Sequence, residues 1–236
     1  MFQSTETAAE FHAIGRAVSG VAVYLGDGPG RHDAGLVRKL VTSDGRILRC
    51  PNPARPSRDR LFTDCLIENK LLKTTNRTAW AGVLALFHCR WQKDPERRGP
   101  ITDAFRPSDV PGLAGHRIAA FLHRADTLEL LKPSERFAVT LDFLDAEMVT
   151  LAPLHPCGWS QIAALGLLDK FNGTAAITSW VVLEKTASCH LHDGGLAGFY
   201  VSAKPRHLSN GRKCPWAYDA KSGRLAVPAR SGPAGD

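Results

Sequence analysis

Residues 136–144 restrict the fold more than any other stretch of the chain. Phe137, Val139, Leu141 and Phe143 alternate with Ala138, Thr140 and Asp142. An apolar residue at every second position is the period of a strand with one face buried. The segment therefore belongs to a sheet covered on one side. From Ser160 to Phe171, Ile162, Leu165 and Leu168 instead recur at helical spacing. Asn172-Gly173 then offers a helix stop, because glycine takes the left-handed conformation at little cost. Thr174–Lys185 reads as a second β-rich run. Ser188–His192 and Leu196–Ala203 read as two shorter strands around His192-Asp193-Gly194-Gly195. Strand, helix, strand and hairpin make up most of a ferredoxin-like β-α-β-β unit.

The first half reads as a second unit of the same kind. Residues 4–14 predict a short helix with Ser4 as its N-cap, and residues 17–25 predict a strand. Three glycines and a proline between Gly26 and His32 make a loop. Asp33 then caps a helix carrying Leu36, Val37, Leu40 and Val41, and Arg46–Cys50 begins a strand. A β-hairpin turning at Asp44-Gly45 is the local alternative. After a proline-rich break at 51–56, Ser57 caps a helix bearing Leu61, Phe62, Cys65, Leu66 and Leu72. A second helix, about 78–92, places Trp80, Val83, Leu84, Phe87 and Trp91 on one stripe, so both tryptophans are expected in the core. The pair predicts a helical finger over about 57–92. Residues 93–115, rich in proline, glycine and charge, are the expected connection between domains. Residues 116–131 are ambiguous between helix and strand, and 229–236 are expected to be disordered. The expected fold class is α+β. Two tandem ferredoxin-like domains would span 1–115 (with the helical insertion) and 116–210, followed by a basic tail at 211–236.

Composition narrows the functional classes. Apolar residues at 44% and charged residues at 22% are ordinary for a globular protein. No apolar run approaches the roughly 20 residues that span a bilayer. The N-terminus lacks a basic segment followed by an apolar one, so a cytoplasmic location is expected. Thirty basic against 23 acidic residues give a net charge of +7, which favours a polyanionic partner, nucleic acid first. The six cysteines form no C-x-x-C pair and are expected to be reduced thiols. Basic residues gather at Arg55, Arg58 and Arg60, at Lys70, Lys73 and Arg77, and at Arg90, Lys93, Arg97 and Arg98. Trp80 and Trp91 lie among them. Charge at intervals with interleaved aromatics suits phosphates and unpaired bases. Solvated helix faces are the plainer alternative.

Two segments carry a family resemblance: K-P-S-E-R-F-A-V-T-L-D-F-L at 132–144 and D-G-G-L-A-G-F-Y-V at 193–201. Over residues 116–203 the pattern resembles the C-terminal half of the CRISPR repeat-processing endoribonucleases of the RAMP superfamily, the type IV system member among them. The family's glycine-rich loop usually has more glycines and basic residues. Here Gly194, Gly195 and Gly198 stand without Arg or Lys. The resemblance implies metal-independent RNA cleavage, in which a 2′-hydroxyl attacks the neighbouring phosphate. His32 would act as general base, and Arg16, Arg31 and Arg38 would stabilise the developing charge. RNA contacts would come from Lys39, Arg46, Arg58, Lys70, Lys73, Arg77, Arg90, Arg97, Arg98 and the three glycines. The implied partners are a CRISPR repeat stem-loop and other effector subunits, with no cofactor, metal or membrane. A non-catalytic RAMP subunit and an unrelated basic RNA-binding adaptor are the alternatives.

Other candidate motifs carry less. Cys189-His190-Leu191-His192 with Cys214 resembles a zinc ligand set but has no paired ligand knuckle, and reads as strand residues near a turn. Gly26-x-Gly28-x-Gly30 lacks G-x-G-x-x-G spacing, and Pro29 removes an N–H that a phosphate would need. No nucleophile has a protease signature.

Overall fold

The computed structural model describes residues 1–91, 93, 98–209 and 215–229. Two helices come first, α1 (Ala9–Ser19) and α2 (Ala34–Arg38). The strands, in chain order, begin with β1 (Arg55–Pro56), β2 (Leu72–Arg77), β3 (Gly82–Phe87), β4 (Ile101–Phe105) and β5 (Ile118–Leu122). Next are β6 (Thr127–Leu131), β7 (Phe137–Leu141), β8 (Ala146–Pro153), β9 (His155–Cys157) and β10 (Ser160–Leu167). The last are β11 (Ile177–Val182), β12 (Ala187–Leu191), β13 (Gly195–Val201), β14 (Ala217–Asp219) and β15 (Arg224–Ala229). The largest sheet has the spatial order β1-β2-β3-β8-β5-β6, and a second has the order β14-β15-β13-β10-β9. β4 pairs with β7, and β11 with β12. All these ladders are antiparallel.

The middle of the six-stranded sheet is covered on both faces. Every residue of β3 is buried. Val83, Ala85 and Phe87 pack with Ala13, Ile14 and Ala17 of α1. Leu84 and Leu86 point the other way, toward Ile101, Phe105, Val139 and Leu141 of the β4–β7 pair. β5 divides similarly: Ile118, Ala120 and Leu122 join that second cluster. Ala119 and Phe121 meet Ala163, Leu165 and Tyr200 of the five-stranded sheet. Fully burying one leucine stabilises by about 1.5–3 kcal/mol, so these layers hold the fold.

The α+β expectation is therefore overturned: the architecture is layered antiparallel β-sheet with two short α-helices among the described residues. The alternation at 137–141 does form a strand, with Val139 and Leu141 buried and Ala138 and Thr140 exposed. The runs expected at 174–185, 188–192 and 196–203 hold β11, β12 and β13. The helix expected at Ser160–Phe171 is instead β10 and a turn. Ile162 and Leu165 occur at helical spacing only because every residue of 162–167 is buried. Gly166 there has φ +79°, and a Cβ on it would lie 2.3 Å from the backbone of Gly173. That close approach shifts the β10–β13 register. Asn172 is no helix stop. It is buried, and its amide donates to the carbonyls of Ala17 and Leu48.

The expected helical finger at 57–92 holds a 3-10 turn at 58–60, then β2 and β3. The first expected helix and strand are replaced by α1, whose Ala13, Ile14, Ala17 and Val18 form one buried face. It ends at Gly20, φ +75°. α2 falls where a helix was expected and is capped by Asp33, whose side chain accepts from the Leu36 N–H at 3.1 Å. Residues 93–115 carry β4, whose Ile101 and Phe105 are core residues. The six-stranded sheet takes strands from both sides of residue 115. Residues 210–214 and 230–236 of the expected basic tail lie outside the described residues, and 217–229 contribute β14 and β15.

Candidate functional site

The N-terminal segment and the loop before α2 build a polar cleft. Phe2 N–H donates to Tyr24 O (3.1 Å) and Gly26 N–H to Phe2 O (2.8 Å), which lays residues 2–4 beside 24–27. Ser4 N–H donates to Asp27 Oδ1 at 2.7 Å, and Asp33 N–H donates to Ser4 Oγ at 2.7 Å. Asp27 Oδ2 meets His32 Nδ1 at 3.1 Å. Burial pushes the Asp27 carboxyl up, but the bonds from His32 and Ser4 outweigh it and hold the group below its ordinary value. Ser4 and the Asp27 side chain are buried, while Arg31 and His32 are exposed.

Two neighbouring recesses open on this framework. One, of about 430 Å³, is lined by Gln3, Thr5, Asp27, Gly28, Pro29 and Arg31. The other, of about 470 Å³, includes Thr5, Glu6, Thr7, Glu10 and Lys39. Amide, hydroxyl, carboxylate and cationic groups on these rims supply hydrogen-bond donors and acceptors together, although Glu10 and Lys39 are paired with each other. Both Asp27 oxygens already have protein partners, so its chemistry here is to fix the loop.

The structure brings His32 and Arg31 to one loop but gives the other expected site residues separate surroundings. Arg16 is half-buried on α1 and Arg38 is exposed at the end of α2. Lys39 pairs with Glu10 (2.9 Å), and Arg46 with Asp44 (2.9 Å). Arg77 donates to Pro111 O (3.3 Å), and Arg90 to Asn69 Oδ1 (3.2 Å). Arg98 stacks over Trp91 and Phe143. Arg58 and Lys70 are exposed, and Arg97 lies outside the described residues. Gly198 is a packing glycine, because a Cβ there would lie 2.2 Å from Leu168 Cδ2. Gly194 N–H donates to Asp193 Oδ1, whose carboxylate also binds Ser43, and Gly195 has φ +146°. Cys189 and His190 pair along β12 with Trp180 and Ser179. Of the two tryptophans expected in the core, Trp80 is partly buried and donates to Ile177 O, whereas Trp91 is exposed.

Lys73 and Arg77 lie on β2 and Lys70 just before it, not on the expected helical finger. Lys73 is a buried residue of β2. Its Nζ reaches Asp59 (2.5 Å), Asp109 (2.8 Å) and Ala104 O (3.2 Å). Arg60 joins the same group, bonding Asp59, Asp103 and Leu71 O. Burial raises the Asp59 carboxyl, but Lys73, Ser57 and Arg60 together bring it below its usual value. These acids were missed because positive clusters were read without their negative neighbours. Asp59 lies inside the first cluster and was legible there. Asp103 and Asp109 come from distant positions and were not.

No helix among the described residues is long and apolar enough to cross a membrane.

Comparison with known proteins redirects the functional reading. Residues 1–228 match the family model described as raffinose synthase or seed imbibition protein Sip1. The chain is 34% identical to a galactinol–sucrose galactosyltransferase of Oryza sativa subsp. japonica, over 97% of this chain and 32% of that protein. It is 35% identical to a probable galactinol–sucrose galactosyltransferase 1 of Arabidopsis thaliana, over 98% of this chain and 34% of that protein. It is 27% identical to a stachyose synthase of Pisum sativum, over 93% of this chain and 30% of that protein. The chain thus spans about a third of the length of the curated relatives it matches. These matches overturn the resemblance to CRISPR endoribonucleases, and with it RNA cleavage, RNA binding and effector-complex partners. The antiparallel layers and the pairing of Arg60 and Lys73 with Asp59, Asp103 and Asp109 agree with that correction. The chain belongs to the raffinose synthase or seed imbibition protein Sip1 family.

Proposed function

We propose that this chain serves galactosyl transfer from galactinol to sucrose as the β-sheet portion of a longer enzyme, supporting and orienting the part that does the chemistry. One observation carries this reading: the family match runs through 1–228 of the chain, yet the matched transferases are about three times as long. The carboxylates described in the chain support the same division. Moving a sugar between oxygens commonly takes two carboxyl groups flanking the anomeric carbon, about 5–5.5 Å apart in retaining enzymes. The buried ones here are all tied to structural partners. Asp103 binds Arg60, and Asp109 binds Lys73. Glu147 accepts the N–H groups of Arg124 and Ala125, and Asp193 holds Ser43. The polar cleft around Thr5, Gln3 and Arg31 is assigned a contact with sugar hydroxyls, outside the bond-making centre.

The test is a chimera in which this chain replaces the matching third of the rice enzyme, assayed for trisaccharide formed from galactinol and sucrose. The chimera is expected to make it and the chain by itself is not. A chain that transfers galactose unaided, or a folded chimera that transfers none, overturns the reading.

A further inference from the structure

Residues 58–70 form a loop turned inside out. Two of its charged residues are anchored: Arg60 is buried against Asp103, and Asp59 reaches buried Lys73. Its large apolar residues face solvent, while Cys65 is buried. Phe62 is 100% exposed and Ile67 71%, and Leu61 and Leu66 are exposed beside them. Exposed Trp91 adjoins them, its backbone N–H donating to Leu66 O at 2.9 Å. The backbone is not loose. Ile67 N–H and Glu68 N–H donate to Asp64 O at 3.1 and 2.8 Å. Asp64 and Glu68 side chains accept from Leu66 and Asp64 N–H, both at 3.0 Å. Single exposed apolar residues are ordinary, but a contiguous set marks an interaction surface.

We propose that Leu61, Phe62, Leu66, Ile67 and Trp91 dock into an apolar groove on the polypeptide that makes up the other two-thirds of the family's transferases. The inference rests on the reading of this chain as one portion of a longer enzyme. The occupant follows from two observations. The matched relatives carry about twice this chain's length outside the match. The charged residues around the knob have both signs: Arg58, Lys70, Arg90 beside Asn69 and Arg98 over Trp91 are basic, and Asp64 and Glu68 are acidic. A mixed rim around an apolar centre is the pattern of a protein–protein interface, with an aromatic anchor such as Phe62 in the middle.

The experiment compares amide hydrogen exchange at residues 61–67 in the isolated chain and in the rice chimera. Exchange there is expected to slow in the chimera by tenfold or more, an interaction worth about 1.4 kcal/mol. Phe62→Asp with Ile67→Asp is expected to abolish that slowing while leaving the melting temperature of the isolated chain unchanged. Equal exchange in the two settings overturns the proposal. A photo-reactive phenylalanine analogue at position 62 gives a second readout that does not depend on the double variant. A cross-link into the remainder of the chimera supports the proposal; a cross-link between two copies of this chain, or none, overturns it. Trisaccharide synthesis separates the two readings. Transfer with an unprotected knob defeats the docking surface alone, and a protected knob without transfer defeats the proposed function alone.

Discussion

β3 and the loop at 58–70 solve opposite problems. β3 buries six residues with no charge among them, and both its faces meet apolar layers. The loop buries Arg60 and hangs its aliphatic and aromatic side chains outside. In β3 the burial itself is the driving force. In the loop, ion pairs and hydrogen bonds fix the shape, and the apolar surface stays available to something else. Hydrophobicity alone therefore does not say which residues of a chain like this lie inside.

Breaking the loop is expected to have the largest effect. Arg60→Ala leaves the Asp103 carboxylate buried without its cation, since the two side chains are 6% and 4% exposed. The expected loss is about 3–5 kcal/mol in urea denaturation of the chain. Adding Asp103→Asn should recover part of it, because the amide oxygen still accepts the Leu71 N–H while the unpaired charge is gone. A fully neutral Arg60→Ala would mean that the ion pairs do not hold the loop. Leu84→Ala is the matching cut in the sheet. Leu84 is fully buried, so the expected loss is about 2–5 kcal/mol by the same measurement. A loss well under that range would show that the layers collapse around the missing side chain.

A smaller effect sharpens the contrast through pH. His123 follows β5, meets Phe121 and Phe171 edge to face, and bonds Thr150 Oγ1 at 2.9 Å. Burial, with Lys39 nearby and Asp126 opposing, lowers its pKa from 6.5 to about 3. Between those values the unfolded chain binds a proton that the native one refuses. Stability should therefore fall as pH drops below 6.5, by at most about 1.4 kcal/mol per unit, and be insensitive to this group above it. Glu147 acts with the opposite sign from its ordinary value of 4.5 upward, because burial raises it. Denaturation between pH 5.5 and 7 should thus be shallower in His123→Gln. An unchanged slope would assign the pH dependence to other groups. The loop should weaken later, since Asp59 is held below its usual range and its pairing is lost only as pH falls through that lowered value.

The legible parts of the sequence were those with two different faces. β7 keeps Thr140 out and Leu141 in, and its alternation shows it. α2 announces itself through Asp33. Strands covered on both sides lose that contrast. The run from Ile162 to Leu167 has no polar face, and helix and strand then predict the same letters. The same ambiguity turned β3 into part of an expected helical finger. At the site, Arg31 and His32 could be placed on a loop from glycines and a proline. Their anchor, Asp27, stood in the same loop but pairs with Ser4, 23 positions earlier, a separation that no local pattern reports. The basic clusters misled because Lys73 finds Asp109 36 positions away.

The place of β8 governs the order in which this chain is able to mature. β8 lies between β3 and β5, both of which precede it. A growing polypeptide that has emerged through residue 131 has the strands of the β2–β3 and β5–β6 hairpins but lacks the strand that joins them. Each hairpin then presents an unpaired apolar edge, the kind of surface on which separate chains pair with one another. Synthesis through Pro153 inserts β8, whose ladders run from Ala146 to Leu151 on β3 and from Val149 to Pro153 on β5. A nascent chain stalled between residues 131 and 153 is thus at its most adhesive, and slow translation across that interval would favour aggregation over completion of the sheet.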